Sequence, residues 1–194
     1  MIELYRGDGS RGTLHKIARR PELDPTLALS VTCWVRTEYG AYHYLVSRGE
    51  WTEGYSLGVL APHDGAGGVL RGFIGGAKLI GTTKINECEF YHVGMTFDGQ
   101  SARLYVNGKC EAAVPIKRPE GIVCNATDLF VGGEALGLGD LYRGESQRHF
   151  LNGEIRSLEI LSRAKDDTEM EAEFDAGVRP RPTKEESKRG CHVQ

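Results

Sequence analysis

Residues 91–109 read YHVGMTFDGQSARLYVNGK and contain two β-hairpin turns about one strand apart. Apolar side chains alternate along both halves of this stretch, at Tyr91, Val93, Met95, Phe97, Leu104 and Val106. The dipeptides Asp98-Gly99 and Asn107-Gly108 follow the two halves, and both tolerate the positive φ angles that the central positions of a tight hairpin turn require. The stretch therefore predicts three consecutive antiparallel strands.

Short apolar or alternating runs on both sides of this stretch predict further strands. They are residues 2–5, 13–17, 27–35, 42–47, 55–60, 69–74, 78–83, 110–114, 128–131 and 153–161. Within 27–35, Trp34 points away from the face that the other apolar residues share, and residues 7–12 form a turn-rich connection. Many short strands separated by turn signals are typical of an all-β, two-sheet antiparallel sandwich or jelly roll.

The one helix that the sequence predicts lies near the C-terminus. Asp166 and Glu169 fit a capping pair, Met170 and Phe174 share a face, and Gly177 suits the position after the last turn. The prolines that follow prevent regular structure. We therefore predict a jelly-roll domain over residues 1–177, with one short C-terminal helix, and an irregular, Pro-containing basic tail over residues 178–194.

Length and charge limit the classes of function. A chain of 194 residues suits one domain with a sizeable core. The tail carries five basic and two acidic residues, so subtracting its +3 from the total of −3 leaves −6 for the domain. We therefore expect no nucleic-acid partner, because there is no overall basic field. The chain also has no apolar run of the roughly 20 residues that would span a bilayer.

The N-terminus and the cysteines bear on the compartment. Met1 and the residues after it lack the basic and apolar segments of a signal peptide, so we expect a cytoplasmic protein or a part of an intracellular assembly. An extracellular protein whose signal was removed is the alternative. The five cysteines form no CxxC pair, and we expect reduced thiols. Cys88–Cys110 or Cys110–Cys124 bridges are the alternatives in a secreted setting.

Six motifs occur in the order in which one family of domains has them. They are Trp34-Val35, Ser47-Arg-Gly49 with Gly54-Tyr-Ser-Leu57, His92 to Gly99, Leu104 to Lys109, Val131-Gly-Gly133, and Asn152-Gly-Glu-Ile155. The chain thus resembles the LamG-like, concanavalin A-like jelly-roll domains over about residues 28–177, with Tyr91 where the family more often has Trp. The resemblance implies a twisted sandwich that binds carbohydrate or protein, in some members with Ca²⁺ at one edge. It also implies a structural hydrogen-bonding role for His92.

Paired carboxylates were considered because glycoside hydrolases occur on this fold. Retaining enzymes hold two carboxyl groups about 5 Å apart. Glu87 and Glu89 alternate but precede a hairpin strand, where a solvated edge is expected. Glu154 and Glu159 are five residues apart and face opposite sides of an ideal strand. The histidines form no HxH or HExxH pattern, so zinc is unsupported. We therefore predict no enzymatic activity, with a glycoside hydrolase as the less favoured alternative.

Loop residues supply the candidate binding sites. A glycine-rich loop that contains Glu134 and Asp140 could offer oxygen ligands to calcium, but one or two carboxylates meet only part of what calcium needs, so a loop of solvated acids is the favoured interpretation. Aromatic side chains in or near connections could stack on sugar rings or bind a protein. These candidates are Trp51, Tyr39, Tyr42 and Tyr142, with Tyr55 and His63 as further residues to inspect.

Three short motifs point to different compartments. Cys191-His-Val-Gln194 has the C-a-a-X form of a prenylation site, with Lys188 and Arg189 as a second membrane signal, so a membrane partner is expected only if Cys191 is lipidated. Asn125-Ala-Thr127 is a glycosylation sequon. Arg6-Gly7-Asp8 could bind integrins, although its glycine-rich surroundings favour an ordinary turn.

The sequence as a whole predicts a non-catalytic interaction module that engages a protein partner within a larger assembly. The alternative is a carbohydrate-binding module that depends on calcium or acts without it.

Overall fold

The computed structural model describes the backbone of residues 3–10 and all of residues 14–20, 24, 27–38, 43–49, 53–60, 68–116, 121–124, 128–133 and 151–177. Within these residues the elements are β1 (Glu3–Ser10), β2 (His15–Ile17), β3 (Leu29–Thr37), β4 (His43–Arg48), β5 (Tyr55–Leu60), β6 (Gly68–Ile74), β7 (Ala77–Ile85), β8 (Tyr91–Phe97), β9 (Ser101–Val106), β10 (Lys109–Pro115), β11 (Leu129–Val131), β12 (Gly153–Leu161) and α1 (Asp167–Ala176). No helix in these ranges is long and apolar enough to cross a bilayer.

The strands form two six-stranded antiparallel sheets, which confirms the predicted jelly-roll sandwich. Sheet 1 has the order β1-β12-β3-β8-β9-β10, and sheet 2 has the order β2-β11-β4-β5-β6-β7. Their inner faces share one core, to which Val31, Val93 and Met95 contribute from sheet 1, and Leu57 and Leu70 from sheet 2. Alternation along the strands places these residues inside, and burying each such side chain contributes about 1.5–3 kcal/mol.

The two hairpin turns use different conformations. Asn107 and Gly108 both have positive φ, at 49° and 76°, as the sequence predicts. At Asp98-Gly99 only the glycine does, so the prediction is wrong for Asp98. Its Oδ1 instead accepts hydrogen bonds from the N–H groups of Gln100 (2.9 Å) and Ser101 (2.7 Å). The side chain thus closes a three-residue loop without left-handed backbone at the aspartate.

The N-terminal strand is longer than predicted. β1 includes residues 7–10, which the sequence assigned to a turn, and it pairs with β12 at the edge of sheet 1. The pairing of β1 with β12 is irregular between Gly7 and Gly9, where the register shifts. The Arg6-Gly7-Asp8 motif therefore lies in an edge strand and not in a turn.

One cysteine departs from the expected reduced state. Cys88 is disulfide-bonded, whereas Cys33, Cys110 and Cys124 are free. Neither of the two bridges considered from the sequence forms, because both need Cys110. Burial, with the nearby charge of Glu173, raises the pKa of the Cys33 thiol, so Cys33 is a buried, unreactive side chain of the core.

The two sheets are joined along one side by Glu111. Leu70 lies opposite three residues of β7, because Arg71 pairs with Ile80 and Val69 with Lys84. The N–H groups of Thr82 and Thr83 in this bulge donate to the Glu111 carboxylate on β10, at 2.9 and 3.1 Å. This carboxylate therefore connects the edge strand of sheet 2 to the edge strand of sheet 1.

Replacing Glu111 with alanine should lower the free energy of unfolding by about 1–2 kcal/mol, since two backbone donors lose an ionised acceptor but can reach solvent. Urea unfolding followed by fluorescence measures the loss. Glu111→Gln keeps one acceptor oxygen and should recover part of it. An alanine variant as stable as the wild type would show that this connection contributes nothing.

Candidate functional site

The outer face of sheet 1 is covered by α1. Met170 is fully buried, and Phe174 stacks on Trp34 with ring centroids 5.9 Å apart. Asp166 and Glu169 form the predicted capping box at the start of the helix. Trp34 does project from the outer face of β3, as the alternation predicts, but the helix covers it. The part of this face around Trp34 is therefore not open to a ligand.

The end of α1 has a packing role. Gly177 has φ −64°, so it does not adopt the left-handed conformation that usually favours glycine after a helix. A Cβ there would lie 2.4 Å from a Trp34 ring atom. Glycine allows the chain to pass directly over the indole.

A polar cluster lies beneath the helix around Lys165. Its Nζ lies 2.6 Å from a Glu159 oxygen and 2.5 Å from a Glu173 oxygen, and it also contacts the Thr32 hydroxyl at 3.4 Å. Burial alone would raise the pKa of Glu173, but the neighbouring His92, Lys165 and Thr32 outweigh it and lower that pKa to about 2. Every carboxylate in the cluster has a partner, so the cluster attaches α1 to sheet 1.

His92 contributes through its ring and its backbone. The ring packs 5.4 Å from Trp34, and among the described residues its nitrogens have no hydrogen-bond partner. Nε2 lies 3.6 Å from Glu173 Oε1, beyond hydrogen-bond distance. The backbone N–H donates to Asn107 Oδ1, and the carbonyl accepts from the Asn107 N–H. The hydrogen-bonding role that the resemblance implies therefore belongs to the backbone of His92.

The outer face of sheet 2 is open along β7, whereas the outward residues of β6 are half-buried and Ser56 and Gly58 of β5 are buried. Its outward residues are Ser56, Gly58, Leu60, Val69, Arg71, Phe73, Lys78, Ile80 and Lys84. None of them is acidic. Lys78 and Lys84 are exposed, and Ile80 is 44% exposed. The Arg71 guanidinium lies over the Phe73 ring, 4.4 Å from its centroid. A protein with net charge −3 thus presents a basic, partly apolar face.

The cations of this open face are regularly spaced. Lys78 lies opposite Phe73, Arg71 opposite Ile80, and Lys84 opposite Val69. Because Phe73, Arg71 and Val69 are successive outward positions of β6, the three cations occupy levels roughly 6.7 Å apart along the strand. We call Lys78, Arg71 and Lys84 the cation row. Strand alternation could have found these residues, but only the tertiary structure shows that Lys78 and Lys84 are exposed and that Arg71 is half-buried.

The residues that the sequence nominated for binding lie outside the described ranges: Tyr39, Tyr42, Trp51, His63, Glu134, Asp140, Tyr142 and Cys191, with the sequon at 125–127. Those nominations stay predictions. Described residues on both sides place two of these segments. Glu38 and His43, on either side of Tyr39 and Tyr42, lie at the end of the sandwich where β12 begins. Gly49 and Glu53, on either side of Trp51, lie at the opposite end, beside the β6–β7 turn.

Two further findings concern the candidate ligands. Tyr55 is 2% exposed and belongs to the core, so its nomination as a sugar-stacking residue is wrong. No group of three or more His, Cys, Asp or Glu side chains in the described part of the chain is placed to hold a metal ion.

Arg48 is a buried cation that sequence reasoning missed. A bulge at Leu45 brings both Leu45 and Val46 into the core, after which Arg48 also faces inward, opposite Tyr55. Its side chain is fully buried and pairs with Asp24. Nε and one amino group of Arg48, and the Tyr55 hydroxyl, have no hydrogen-bond partner within the described ranges. The Ser-Arg-Gly sequence gives no sign of this burial.

The acid pairs considered for hydrolysis are engaged in ion pairs or set apart. Glu154 and Glu159 both face outward, because Ser157 has φ 51° and forms a bulge, so the prediction of opposite faces is wrong. Their β3 partners, Arg36 and Thr32, are four residues apart, which separates the carboxyl groups by roughly 13 Å along the strand. Glu154 pairs with Arg36 and Arg156, whereas Glu159 pairs with Lys165.

The other acid pair lies in the connection between β7 and β8. Glu89 is exposed there and accepts a hydrogen bond from the Tyr91 hydroxyl at 3.0 Å. Glu87 is half-buried two residues earlier. Glu89 lies at a solvated edge, as the sequence predicts.

A protein-family model matches most of the chain. Residues 9–170 match the Laminin_G_3 model, described as the concanavalin A-like lectin/glucanases superfamily. No curated protein sequence matches the chain.

Solved structures share the fold at low identity. A candidate carbohydrate binding protein from Bacteroides ovatus has a TM-score of 0.65 at 16% identity, over 88% of this chain and 47% of that chain. The heptameric SAP-like pentraxin of Limulus polyphemus has a TM-score of 0.60 at 14% identity, over 93% of this chain and 88% of that chain. The binding domain of botulinum neurotoxin DC, solved with rat synaptotagmin II, has a TM-score of 0.57 at 14% identity, over 88% of this chain and 42% of that chain. The chain spans about half the length of the first and third.

Proposed function

The chain belongs to the concanavalin A-like lectin/glucanase superfamily, and from that premise we propose that it is a non-catalytic module that binds an acidic protein surface through the open face of sheet 2. The family and the solved neighbours include binding domains of several kinds, so a binding role is the common ground. That the partner is a protein within a larger assembly is part of our proposal.

The open face carries this proposal. It places the exposed Lys78, Lys84 and Ile80 beside a half-buried arginine that lies over Phe73. A mixture of positive charge with aromatic and aliphatic area suits a partner that offers carboxylates beside apolar side chains. On the opposite broad face, α1 covers the centre of the sheet around Trp34 and His92.

The spacing of the acids supports the absence of catalysis. Retaining hydrolases need carboxyl groups about 5 Å apart, and inverting ones about 6.5–9.5 Å. The separation of roughly 13 Å between Glu154 and Glu159 fits neither mechanism. In addition, both groups are held in ion pairs with arginine or lysine.

A labelled glutamate-rich peptide tests the open face. Wild-type protein should bind it at low salt, and Lys78→Glu/Lys84→Glu should weaken binding at least about ten-fold, because two attractive charges become repulsive. Fluorescence anisotropy measures both dissociation constants.

The matched control is Arg20→Glu/Lys109→Glu, which changes the net charge equally at exposed positions away from this face. It should bind nearly as well as the wild type. Equal weakening by the two double variants would mean that net charge, and not this face, governs binding, and the proposal would fail.

A carbohydrate ligand is the second candidate function. The Bacteroides ovatus neighbour is described as a carbohydrate binding protein, and the family description names lectins. A glycan array probed with and without calcium tests it. Calcium-dependent binding that is lost in Glu134→Gln/Asp140→Asn would assign the ligand to the 134–146 loop. A glycan lost in Lys78→Glu/Lys84→Glu would assign it to the open face.

A further inference from the structure

The sulfur of Cys88 is in a disulfide bond, although the described part of the chain holds no partner for it. Cys88 is disulfide-bonded, whereas Cys33, Cys110 and Cys124, the other described cysteines, are all free. The chain has five cysteines, and a disulfide joins two of them. The one cysteine that remains is Cys191, which lies outside the described residues.

We propose that Cys191 is the partner of Cys88, so that a disulfide ties the basic tail at 178–194 to the connection between β7 and β8. The bridge concerns the tail and not the outer face of sheet 2, so it does not depend on the proposed function. A sulfur in a disulfide cannot form the thioether of a prenyl group. The bridge therefore excludes the lipidation that the C-a-a-X form of residues 191–194 suggests.

Cys88 is held against the body of the domain. It is half-buried, and its N–H donates to the Thr37 carbonyl at 2.7 Å, at the end of β3. Its φ is 63°, so the backbone is in the left-handed region at this residue and turns sharply. The connection between β7 and β8 therefore holds Cys88 at a fixed point beside the end of β3.

The tail starts beside the same strand. Gly177, the residue after α1, passes directly over the indole of Trp34, which precedes Thr37 by three residues on β3. Three residues of strand span roughly 10 Å. The chain from Gly177 to Cys191 can span roughly 40 Å or more when it is extended. The tail is therefore long enough to bring Cys191 to Cys88 with several residues to spare.

The charges around the two cysteines are opposite in sign. Glu87 and Glu89 flank Cys88 in the sequence. Lys188 and Arg189 precede the tail cysteine by three and two residues. Glu89 is exposed, and both described groups that donate to its carboxylate are neutral. Attraction between the unlike charges therefore favours encounters between the tail and this connection.

The bridge forms by thiol–disulfide exchange with a small disulfide such as oxidised glutathione. One protein thiolate attacks that disulfide, which forms a mixed disulfide and releases one small thiol. The second protein thiolate attacks the protein sulfur of the mixed disulfide, which forms the bond between Cys88 and Cys191 and releases the second small thiol. In total, two protein thiols lose two electrons and two protons, and these reduce one small disulfide to two thiols.

Serine variants measure the consequences of losing the bond. The count of free thiols in unfolded, unreduced protein should be three for wild type and four for Cys88→Ser and for Cys191→Ser, because each substitution releases the partner thiol. Cys110→Ser, which removes an exposed free thiol, is the matched control and should give two. Ellman's reagent measures these counts.

The bond should also stabilise the fold. It closes a loop of roughly 100 residues in the unfolded chain, but only the roughly 14 residues after α1 in the folded one, so the unfolded state loses more entropy. Each single variant should therefore melt roughly 3–7 °C below wild type. The double variant should melt no lower than the single ones, because all three lack the same bond. Additive decreases would contradict a shared bond.

Peptide mapping of the full chain identifies the partner directly. The protein is equilibrated with reduced and oxidised glutathione, unfolded with an alkylating reagent and digested with trypsin without reduction, which places each cysteine in a different peptide. We expect residues 85–103 joined to residues 190–194, in protein that runs as a monomer on a non-reducing gel. Alkylated Cys88 and Cys191 at every glutathione ratio would refute the pairing. So would Cys88 joined to another cysteine, or a disulfide-linked dimer.

Discussion

Replacing Lys165 with alanine should lower the free energy of unfolding by about 3 kcal/mol and the melting temperature by roughly 6–12 °C. The substitution leaves Glu159 and Glu173 facing each other beneath α1 without their shared cation, and both carboxylates are mostly buried. Removing one partner of a buried ion pair costs more than the pair itself contributes, because the remaining charge is desolvated. Urea unfolding and calorimetry measure the effect.

A charge-free version of the cluster is the control. Lys165→Met with Glu159→Gln and Glu173→Gln removes all three charges and should be more stable than the single alanine variant. A single variant within about 1 kcal/mol of the wild type would show that solvent already screens the cluster.

The free energies of unfolding of wild type and Lys165→Ala should converge at low pH. The pKa of Glu173 in the folded protein is about 2, below its ordinary value of 4.5, so its stabilising contribution is complete above pH 4.5 and is lost as the pH falls towards 2. The difference in stability between wild type and Lys165→Ala should therefore shrink across that window. A difference that stays constant from pH 6 to 2 would contradict an electrostatic origin.

Replacing Asp24 with alanine should lower the free energy of unfolding by about 3–5 kcal/mol, which is more than the substitution Arg48→Met should cost. The Arg48 side chain is 0% exposed, so losing its only described counter-charge leaves a buried guanidinium unpaired. The Asp24 side chain is 21% exposed, so after Arg48→Met it can recover hydration, while the thioether fills the inward position beside Tyr55. Arg48→Met should therefore lower the free energy of unfolding by about 1 kcal/mol or less. Asp24→Ala is the more damaging of the two because it leaves the more desolvated member of the ion pair without its partner.

Asp128→Ala is the matched control for Asp24→Ala. Asp128 also pairs with a cation, but Lys16 is 63% exposed, so the loss of stability should be much smaller than that of Asp24→Ala. If Arg48→Met proves the more damaging substitution in urea unfolding, the cation itself holds this end of the sandwich and our account of its burial is wrong.

Local chemistry explains what could be predicted. The Asn107-Gly108 turn, the strand alternation and the Asp166/Glu169 cap each depend on residues within a few positions of one another. Such interactions are readable in a linear sequence because the groups that make them are sequence neighbours.

Two bulges explain much of what could not be predicted. One at Leu45 precedes the inward turn of Arg48, and one at Ser157 brings Glu154 and Glu159 to the same face. A single extra residue changes which side of a sheet every later side chain faces, so alternation fails beyond it. The Arg48 counter-ion also lies 24 residues earlier, out of reach of any local pattern.

The sequence by itself determined the antiparallel sandwich and the acidic composition of α1, because alternation, turns and capping act over a few residues. Only the tertiary structure decided which face α1 covers, and hence that the helix and the cation row lie on opposite sides of the sandwich. That outcome depends on long-range packing of Trp34 against Phe174 and on the Lys165 cluster, whose members are brought together by folding.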